Sequence, residues 1–219
     1  MDLKTHSVEQ AIIDIRNGKF IVIFDPEREK EGDLVIAAKF ATPPKLKFLM
    51  QNCYQQVCVP MTEHLLKKMG IPPMTYYSED FHGCRYALSC DSKKGGTGVS
   101  ARDKSLVIQD LVAGRLENLS MPGHTFPLIA RPGGLFQRRG HTEASIDLLK
   151  LAGIKPEIAV LAEIIDNKRA ESATGEELEA FIAKNGLTVV KIQDILDFMA
   201  RPGEPQLNIT AELKEKPAQ

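Results

Sequence analysis

The sequence predicts a single α/β domain. Short Val- and Ile-rich runs recur along the chain, segments with helical apolar spacing separate them, and neither a repeat nor a low-complexity linker interrupts the span. With 219 residues, 43% of them hydrophobic, the chain can bury one sizeable core without disulfide or metal staples.

Ser7 and Gln10 form a capping box ahead of Val8, Ile12 and Ile15, whose spacing predicts a helix that Gly18 ends. Phe20 to Ile23 reads as a buried strand running into a charged loop, Asp25 to Asp33, and Leu34 to Ala38 is a second apolar run. A helix is predicted from Pro43 to about Gln51, a strand over Val57 to Val59 and a short helix over Thr62 to Met69. Arg85 to Cys90 alternates like a half-buried strand. Gly95-Gly96-Thr97-Gly98 then turns through Ser100 into a helix carrying Leu106, Val107 and Leu111. Strands follow at Phe126 to Ala130, Ile158 to Leu161 and Val189 to Lys191. Helices are predicted from Thr142 to Ala152, and from a Thr174/Glu177 capping box to Gly186. From Arg201 onward Pro, Lys, Glu and Gln dominate, which predicts a folded domain over 1–200 and a mobile tail over 201–219. Periodicity leaves strand order, and parallel against mixed pairing, open.

Charge narrows the function. The 28 basic and 29 acidic residues nearly cancel, so no global field recruits nucleic acid or an anionic membrane, and any anion site is local. No apolar run approaches the ~20 residues of a spanning helix. The first residues, Met1 to Lys4, carry no apolar signal core. Cys53, Cys58, Cys84 and Cys90 form no C-x-x-C pair or zinc spacing, so reduced thiols in a cytoplasmic protein are expected.

Five segments can carry chemistry. In Arg28-Glu29-Lys30-Glu31-Gly32-Asp33, alternate residues of extended backbone share a side. Glu29, Glu31 and Asp33 would then converge, which suits a hard cation such as magnesium; the plainer alternative is a solvated loop. Arg138-Arg139-Gly140-His141-Thr142 opens a helix, whose free N–H groups and positive dipole end suit phosphate. His141 beside it is a candidate metal ligand or proton carrier. Pro122-Gly123-His124 places a histidine in a turn near a loop tip, fit for acid/base work or simply surface exposed. The Gly95 to Ser100 turn has the outline of an anion cradle but is neither a Walker A nor a dinucleotide motif. Glu163 closes an apolar strand, where a carboxylate needs a partner or a task.

In this order, the segments resemble the 3,4-dihydroxy-2-butanone 4-phosphate synthase family from about Val8 to Leu196. Seven collinear stretches carry the resemblance: Glu27 to Asp33, Cys58-Val59-Pro60, Pro72-Pro73-Met74, His82-Gly83, Thr97 to Ala101, Pro122 to Leu128 and Arg139 to Ala144. The resemblance implies a mixed central sheet flanked by helices, a homodimer with active sites near the interface, and magnesium or manganese as cofactor. It implies ribulose 5-phosphate as substrate, and dihydroxybutanone phosphate and formate as products. Residue by residue, Glu29 and His141 would hold the metal. Arg28, Glu29, Asp33, Thr97, Arg138, Arg139, Gly140, His141 and Thr142 would bind the sugar phosphate. His124, Glu163 and Glu31 would move protons, with Cys58 beside the pocket.

The chain also departs from the family's pattern. Against the family's D-D-E-D-R-E-N-E-G-D, Phe24, Pro26 and Lys30 stand in the acidic loop. Gln51 to Gln56 replaces an arginine- and serine-rich run, and Ile164 to Ala170 replaces a D-G-T/S-M-A/M-R signature. Cys84 stands for a threonine, Gly96 for the first of two threonines and Met121 for an arginine. These changes keep two other readings open, a paralogue acting on another sugar phosphate and a silent ligand-binding or regulatory homologue. With so few residues after Leu196, the GTP cyclohydrolase that bifunctional relatives carry is not expected in this sequence.

Overall fold

The computed structural model describes residues 3–77, 79–166 and 168–201, so residues 202–219 of the expected tail lie outside the described residues. In chain order the elements are α1 (Val8–Arg16), β1 (Ile21–Phe24), β2 (Gly32–Ala37), α2 (Pro43–Asn52), β3 (Cys58–Thr62), α3 (Glu63–Lys68), β4 (Cys90–Ser92), α4 (Ala101–Ala113), β5 (Leu119–Ala130), α5 (His141–Leu151), β6 (Ala159–Glu163), β7 (Ile165–Asp166), β8 (Glu171–Ser172), α6 (Gly175–Asn185), β9 (Thr188–Lys191) and α7 (Ile192–Met199).

Seven strands form one mixed sheet in the order β4-β5-β3-β6-β2-β1-β9, and β7 and β8 make a separate hairpin. The β1/β9 and β3/β5 pairs are parallel, while the β1/β2, β2/β6, β3/β6 and β4/β5 pairs are antiparallel. Both faces are covered, which is why the strands read as unbroken apolar runs. Successive residues separate into two cores: Val22, Leu34, Ile36 and Val160 pack in one, and Ile21, Ile23, Val35 and Leu161 in the other.

Local chemistry sets the ends. Ser7 accepts from the Gln10 amide at 3.2 Å, but the Gln10 side chain donates to Asp14, so only half of the expected capping box forms. Ser100 caps α4 by accepting from the Asp103 amide at 3.1 Å, and Gly114 ends that helix at φ +67.

Three further expectations are corrected. Only Cys90, the first residue of β4, is in a strand; Arg85 to Ser89 makes isolated bridges instead, Tyr86 to Leu128 and Ala87 to Pro73. Ala87 donates to the Pro127 carbonyl, and Pro127 has no N–H to return, so the ladder stops. Pro122-Gly123-His124 is no loop-tip turn but lies inside β5. Thr174 makes no cap bond; it and Glu177 face Arg169 instead, at 3.4 and 3.8 Å. Helix α7 and the β7/β8 hairpin went unread in the sequence.

The sheet registers place the site. β2 and β6 pair with Asp33 directly opposite Glu163, and Cys58 of β3 pairs with Leu161. Leu34, fully buried one residue past Asp33, anchors this corner. Replacing it with alanine should lower unfolding free energy by about 2–5 kcal/mol, read as a lower urea midpoint at unchanged slope.

Candidate active site

At the β2/β6 end of the sheet lies a cleft of about 260 Å³. It gathers Glu29, Glu31, Asp33, Cys58, Arg138, His141, Thr142 and Glu163.

The acidic turn supplies the first carboxylates, though not by strand alternation as expected. Residues 26–29 form a turn, and β2 starts only at Gly32. Asp25 Oδ1 accepts from the Glu27 and Arg28 amides at 3.0 and 3.1 Å, and the Asp25 amide donates to the Glu31 carbonyl at 3.0 Å. Lys30 closes the turn in left-handed backbone, φ 57, with its side chain exposed and outside the cleft. This bend, rather than extended chain, aims Glu29 and Glu31 together.

Helix α5 supplies the imidazole. Its N-cap is Gly140, where a Cβ would run into the Arg138 guanidinium. Buried Glu143 holds this entrance: Arg138 Nη1 donates to its Oε2 at 2.6 Å and the Arg131 amide to its Oε1 at 3.0 Å. His141 Nδ1 then sits 3.0 Å from Glu29 Oε2, across 112 residues of sequence. Donor atoms of Glu29, Glu31 and His141 all lie within 4.8 Å of one another. His141 Nε2 and Asp33 Oδ1 are buried without a hydrogen-bond partner. Two carboxylates, an imidazole and these two orphaned atoms fit a small divalent cation.

Charge crowding perturbs each group. Burial pushes Glu31 up to about 9, and its hydrogen bond to Glu163 with the charges of Glu163 and Asp33 adds to that. Burial likewise lifts Asp33 to about 6, with His141 opposing and Glu163 adding. At His141 burial favours the neutral ring, but Asp33, Glu29 and Glu31 outweigh it and raise the group to about 9. Burial would raise Glu29, yet its bond to His141 and that charge hold it down at about 2. Cys58 is buried and its thiol pushed far up, first by burial and then by Asp33, so it serves as a neutral wall.

Five expected residues do not line the cleft, and one of them, Gly140, is the buried N-cap of α5. Arg28 and Arg139 are exposed, Arg28 donating to the Arg139 carbonyl at 2.9 Å and Arg139 to Gln193 at 3.3 Å. Thr97 is exposed on its turn, and His124 stands on β5 with a 55% exposed side chain bound to Asp91. The glycine-rich turn cradles the protein's own carboxylates: the Gly96 amide donates to Asp103 at 2.8 Å, and a Cβ at Gly98 would overlap Asp91. Conversely, the cleft includes Tyr54, Gln56, His82 and Tyr86, to which the sequence reading gave no role. His82 Nδ1 lies 3.7 Å from Glu29, and its motif was the only signal.

The two segments that depart from the family pattern touch. Cys53 bridges Ile164, the Tyr54 amide donates to the Glu163 carbonyl at 2.9 Å, and the Tyr54 hydroxyl donates to the Ala170 carbonyl at 3.4 Å. Gln56 Nε2 reaches the Tyr86 hydroxyl at 3.5 Å on the same wall.

Comparison with known proteins points one way. The sequence model of the 3,4-dihydroxy-2-butanone 4-phosphate synthase family matches residues 9–198. A riboflavin biosynthesis protein RibBA of Mycobacteroides abscessus is 40% identical over 197 residues, covering 88% of this chain and 47% of that protein. A 3,4-dihydroxy-2-butanone 4-phosphate synthase of Helicobacter pylori is 37% identical, covering 87% of this chain and 56% of that one. The chain thus spans about half the length of the curated relatives it matches. A crystal structure of 3,4-dihydroxy-2-butanone 4-phosphate synthase in complex with two magnesium ions superposes at TM-score 0.80 with 35% identity, covering 88% of this chain and 96% of that one. A two-domain synthase from A. baumannii gives TM-score 0.84 at 34% identity, covering 90% of this chain and 59% of its own.

Two stability measurements probe this cluster. Glu31, Asp33 and His141 bind protons more tightly folded than unfolded, so the stability they lend at low pH is lost as pH rises, through about 6 for Asp33 and about 9 for Glu31 and His141. Glu29 runs oppositely, its contribution failing only as pH falls toward about 2. The thermal midpoint of chelator-treated protein should therefore fall between about pH 6 and 9, and Glu31→Gln should flatten the slope; a midpoint that rises over this range contradicts the charge assignment. Lys30→Asn, which suits left-handed backbone, should raise stability by about 1 kcal/mol in denaturant titration.

Proposed function

The chain belongs to the 3,4-dihydroxy-2-butanone 4-phosphate synthase family, and we propose that it converts ribulose 5-phosphate to 3,4-dihydroxy-2-butanone 4-phosphate and formate. The observation that carries this is the meeting of Glu29, Glu31 and His141 in one cleft with Asp33, Glu163 and Arg138.

Glu29 and His141, with Glu31 beside them, would hold the cation, magnesium or manganese. Bound there, a divalent cation supplies Lewis acidity toward ketone and hydroxyl oxygens. The remaining work falls to the chain. Arg138 and the N-terminus of α5 seat the phosphate, which does not react and serves orientation. The reaction removes a proton beside a ketone, expels water, shifts a carbon and cuts away formate, so it needs several proton transfers. Glu31, Asp33 and Glu163 share one crowded region, and the hydrogen bond between Glu31 and Glu163 gives a proton a path between two carboxyls. Tyr54, Tyr86 and Leu161 wall the cleft and limit water.

The protein works as a homodimer. His124 and Thr97 lie outside the cleft of their own chain, and apolar groups stand exposed near them, Val99 at 51% and Met121 at 39%. Tyr76 and Phe81 are 98% and 93% exposed. A second copy covers these surfaces and brings His124 and Thr97 to its partner's cleft. Mixing inactive Glu29→Gln with inactive His124→Gln should then restore roughly a quarter of the activity, because half the dimers carry one intact site. No recovery means each site is built within one chain.

The altered wall of Tyr54, Gln56 and Cys84 favours a second reading, the same chemistry on another phosphorylated sugar. Purified protein, magnesium and ribulose 5-phosphate followed by NMR separates the readings. Stoichiometric formate, abolished by Glu29→Gln or His141→Ala, supports the synthase. Metal-dependent deuterium exchange without formate supports the other sugar, and binding without either marks a silent homologue. Cation binding should also release protons and tighten as pH rises toward about 9, since the raised His141 and Glu31 must give theirs up. Calorimetry in buffers of different ionisation enthalpy measures that release.

A further inference from the structure

A second cavity, of about 410 Å³, lies apart from the cleft and has no part in the proposed reaction. β3 and β5 run parallel with Thr62 opposite Ala130, and both residues line it. It therefore opens at the carboxyl ends of two parallel strands, where α/β sheets commonly seat ligands. Cys58, which lines the active cleft, stands four residues earlier on β3, about 13 Å away along the strand. Helix α3 leaves one strand here, α5 flanks the other, and the turn before β6 closes the third side.

The lining divides into a floor and a rim. Ala130 and Ile146 are buried, and Leu65 and Pro132 half-buried, so the floor is apolar. Lys67, Arg131, Lys150 and Lys155 set four cations against two carboxylates, Glu63 and Glu157. Glu63 pairs with Lys67 at 3.2 Å, and Glu157 accepts from Lys155. Just outside the lining, Arg85 lies 3.7 Å from Glu63 and Asp147 3.6 Å from Lys150, and these two cancel. The rim thus keeps an excess of two positive charges, in a chain whose net charge is −1. An apolar floor under a positive rim selects a molecule with a hydrophobic body and a doubly charged anionic head.

Arg131 lines this cavity and also braces the active cleft from outside. Its amide donates to Glu143 at 3.0 Å, the carboxylate that holds Arg138, and its Nη2 donates to the Gly83 carbonyl at 3.2 Å, beside His82. His82 and Arg138 both line the cleft. We infer that the second cavity binds an organic phosphate monoester with an apolar or ring body, and that its occupant acts on the cleft through Arg131. A phosphate dianion offers the guanidinium charged acceptors where Gly83 offers a neutral one, and charge-assisted hydrogen bonds are about twice as strong. Occupancy therefore draws Arg131 off Gly83 and frees the His82-Gly83 segment of the cleft wall. Substrate then binds more weakly, and by linkage the occupant binds substrate-loaded protein more weakly by the same factor.

Adenosine monophosphate (AMP) serves as the probe, with inorganic phosphate and adenosine as its two halves. Calorimetry on the full chain, treated with chelator, reads binding without turnover. AMP should bind at least about tenfold more tightly than either half, and Lys67→Glu combined with Lys155→Glu should weaken it about tenfold or more. Both side chains are exposed, at 70% and 75%, so this variant should fold and keep native turnover without AMP. Methyl signals of Leu65 and Ile146 should shift when AMP is added to the native protein. AMP should raise KM for ribulose 5-phosphate at least about fivefold, and Arg131→Lys should remove that effect while AMP still binds. Absence of AMP binding at millimolar concentration, equal binding by either half, or undiminished binding in the double variant overturns the site. Methyl shifts confined to Leu128 and Leu161 place AMP in the active cleft and overturn it without any variant. AMP binding that leaves KM unchanged overturns the route through Arg131. If ribulose 5-phosphate is neither bound nor turned over, the proposed function fails instead, and AMP calorimetry with the Gly83 amide shift still decides site and route.

Discussion

The contact between Glu29 and His141 organises this site. One group stands on a turn near the start of the chain and the other on the first residue of α5, and their 3.0 Å separation joins them across the cleft. Glu31, Asp33 and Glu163 crowd the same corner, so without a positive charge there the carboxylates repel one another in poorly hydrated space. A protonated His141 answers that repulsion in the cation-free chain. A divalent ion answers it better, and the proton on His141 then has no reason to remain.

Everything nearby serves to keep that corner convergent. The β2/β6 register sets Asp33 against Glu163, Asp25 ties the turn through three backbone bonds, and Glu143 anchors the entrance to α5 through Arg138 and Arg131. Lys30 carries left-handed backbone, as Ala170 does, and at Lys30 that conformation swings Glu29 and Glu31 together. Lys30 itself is exposed and does not line the cleft. Local strain offset by packing is a common arrangement where chemistry needs unusual geometry.

Much of this was legible in the residues. Apolar runs located β1, β2, β3, β6 and β9, and the caps at Ser7 and Ser100 located α1 and α4, because those signals are local. The mixed pairing came from the family resemblance, since periodicity cannot order strands. What escaped depended on distant partners. Alternation at Arg85 to Cys90 gave no hint that Pro127 would halt the ladder. A Pro-Gly step reads as a turn, and only the β4 partner reveals it as an excursion within a strand. The turn at Gly95 to Ser100 has the form of an anion cradle, and the anions it holds are the chain's own Asp91 and Asp103. Glu29 and His141 stood out by residue type, but the bend that joins them was invisible in an acidic run.

The contact between the two divergent segments has a practical corollary. Tyr54 and Ala170 belong to stretches more than a hundred residues apart, yet Tyr54 bonds both the Glu163 carbonyl and the Ala170 carbonyl. Through these contacts and the Cys53 to Ile164 bridge they form one wall assembled from two pieces of chain. Importing only the first piece from a relative strands the second against contacts it was not shaped for, and the reverse graft fails for the same reason. Ancestral reconstruction or chimera building on this scaffold therefore has to exchange both pieces as a single cassette.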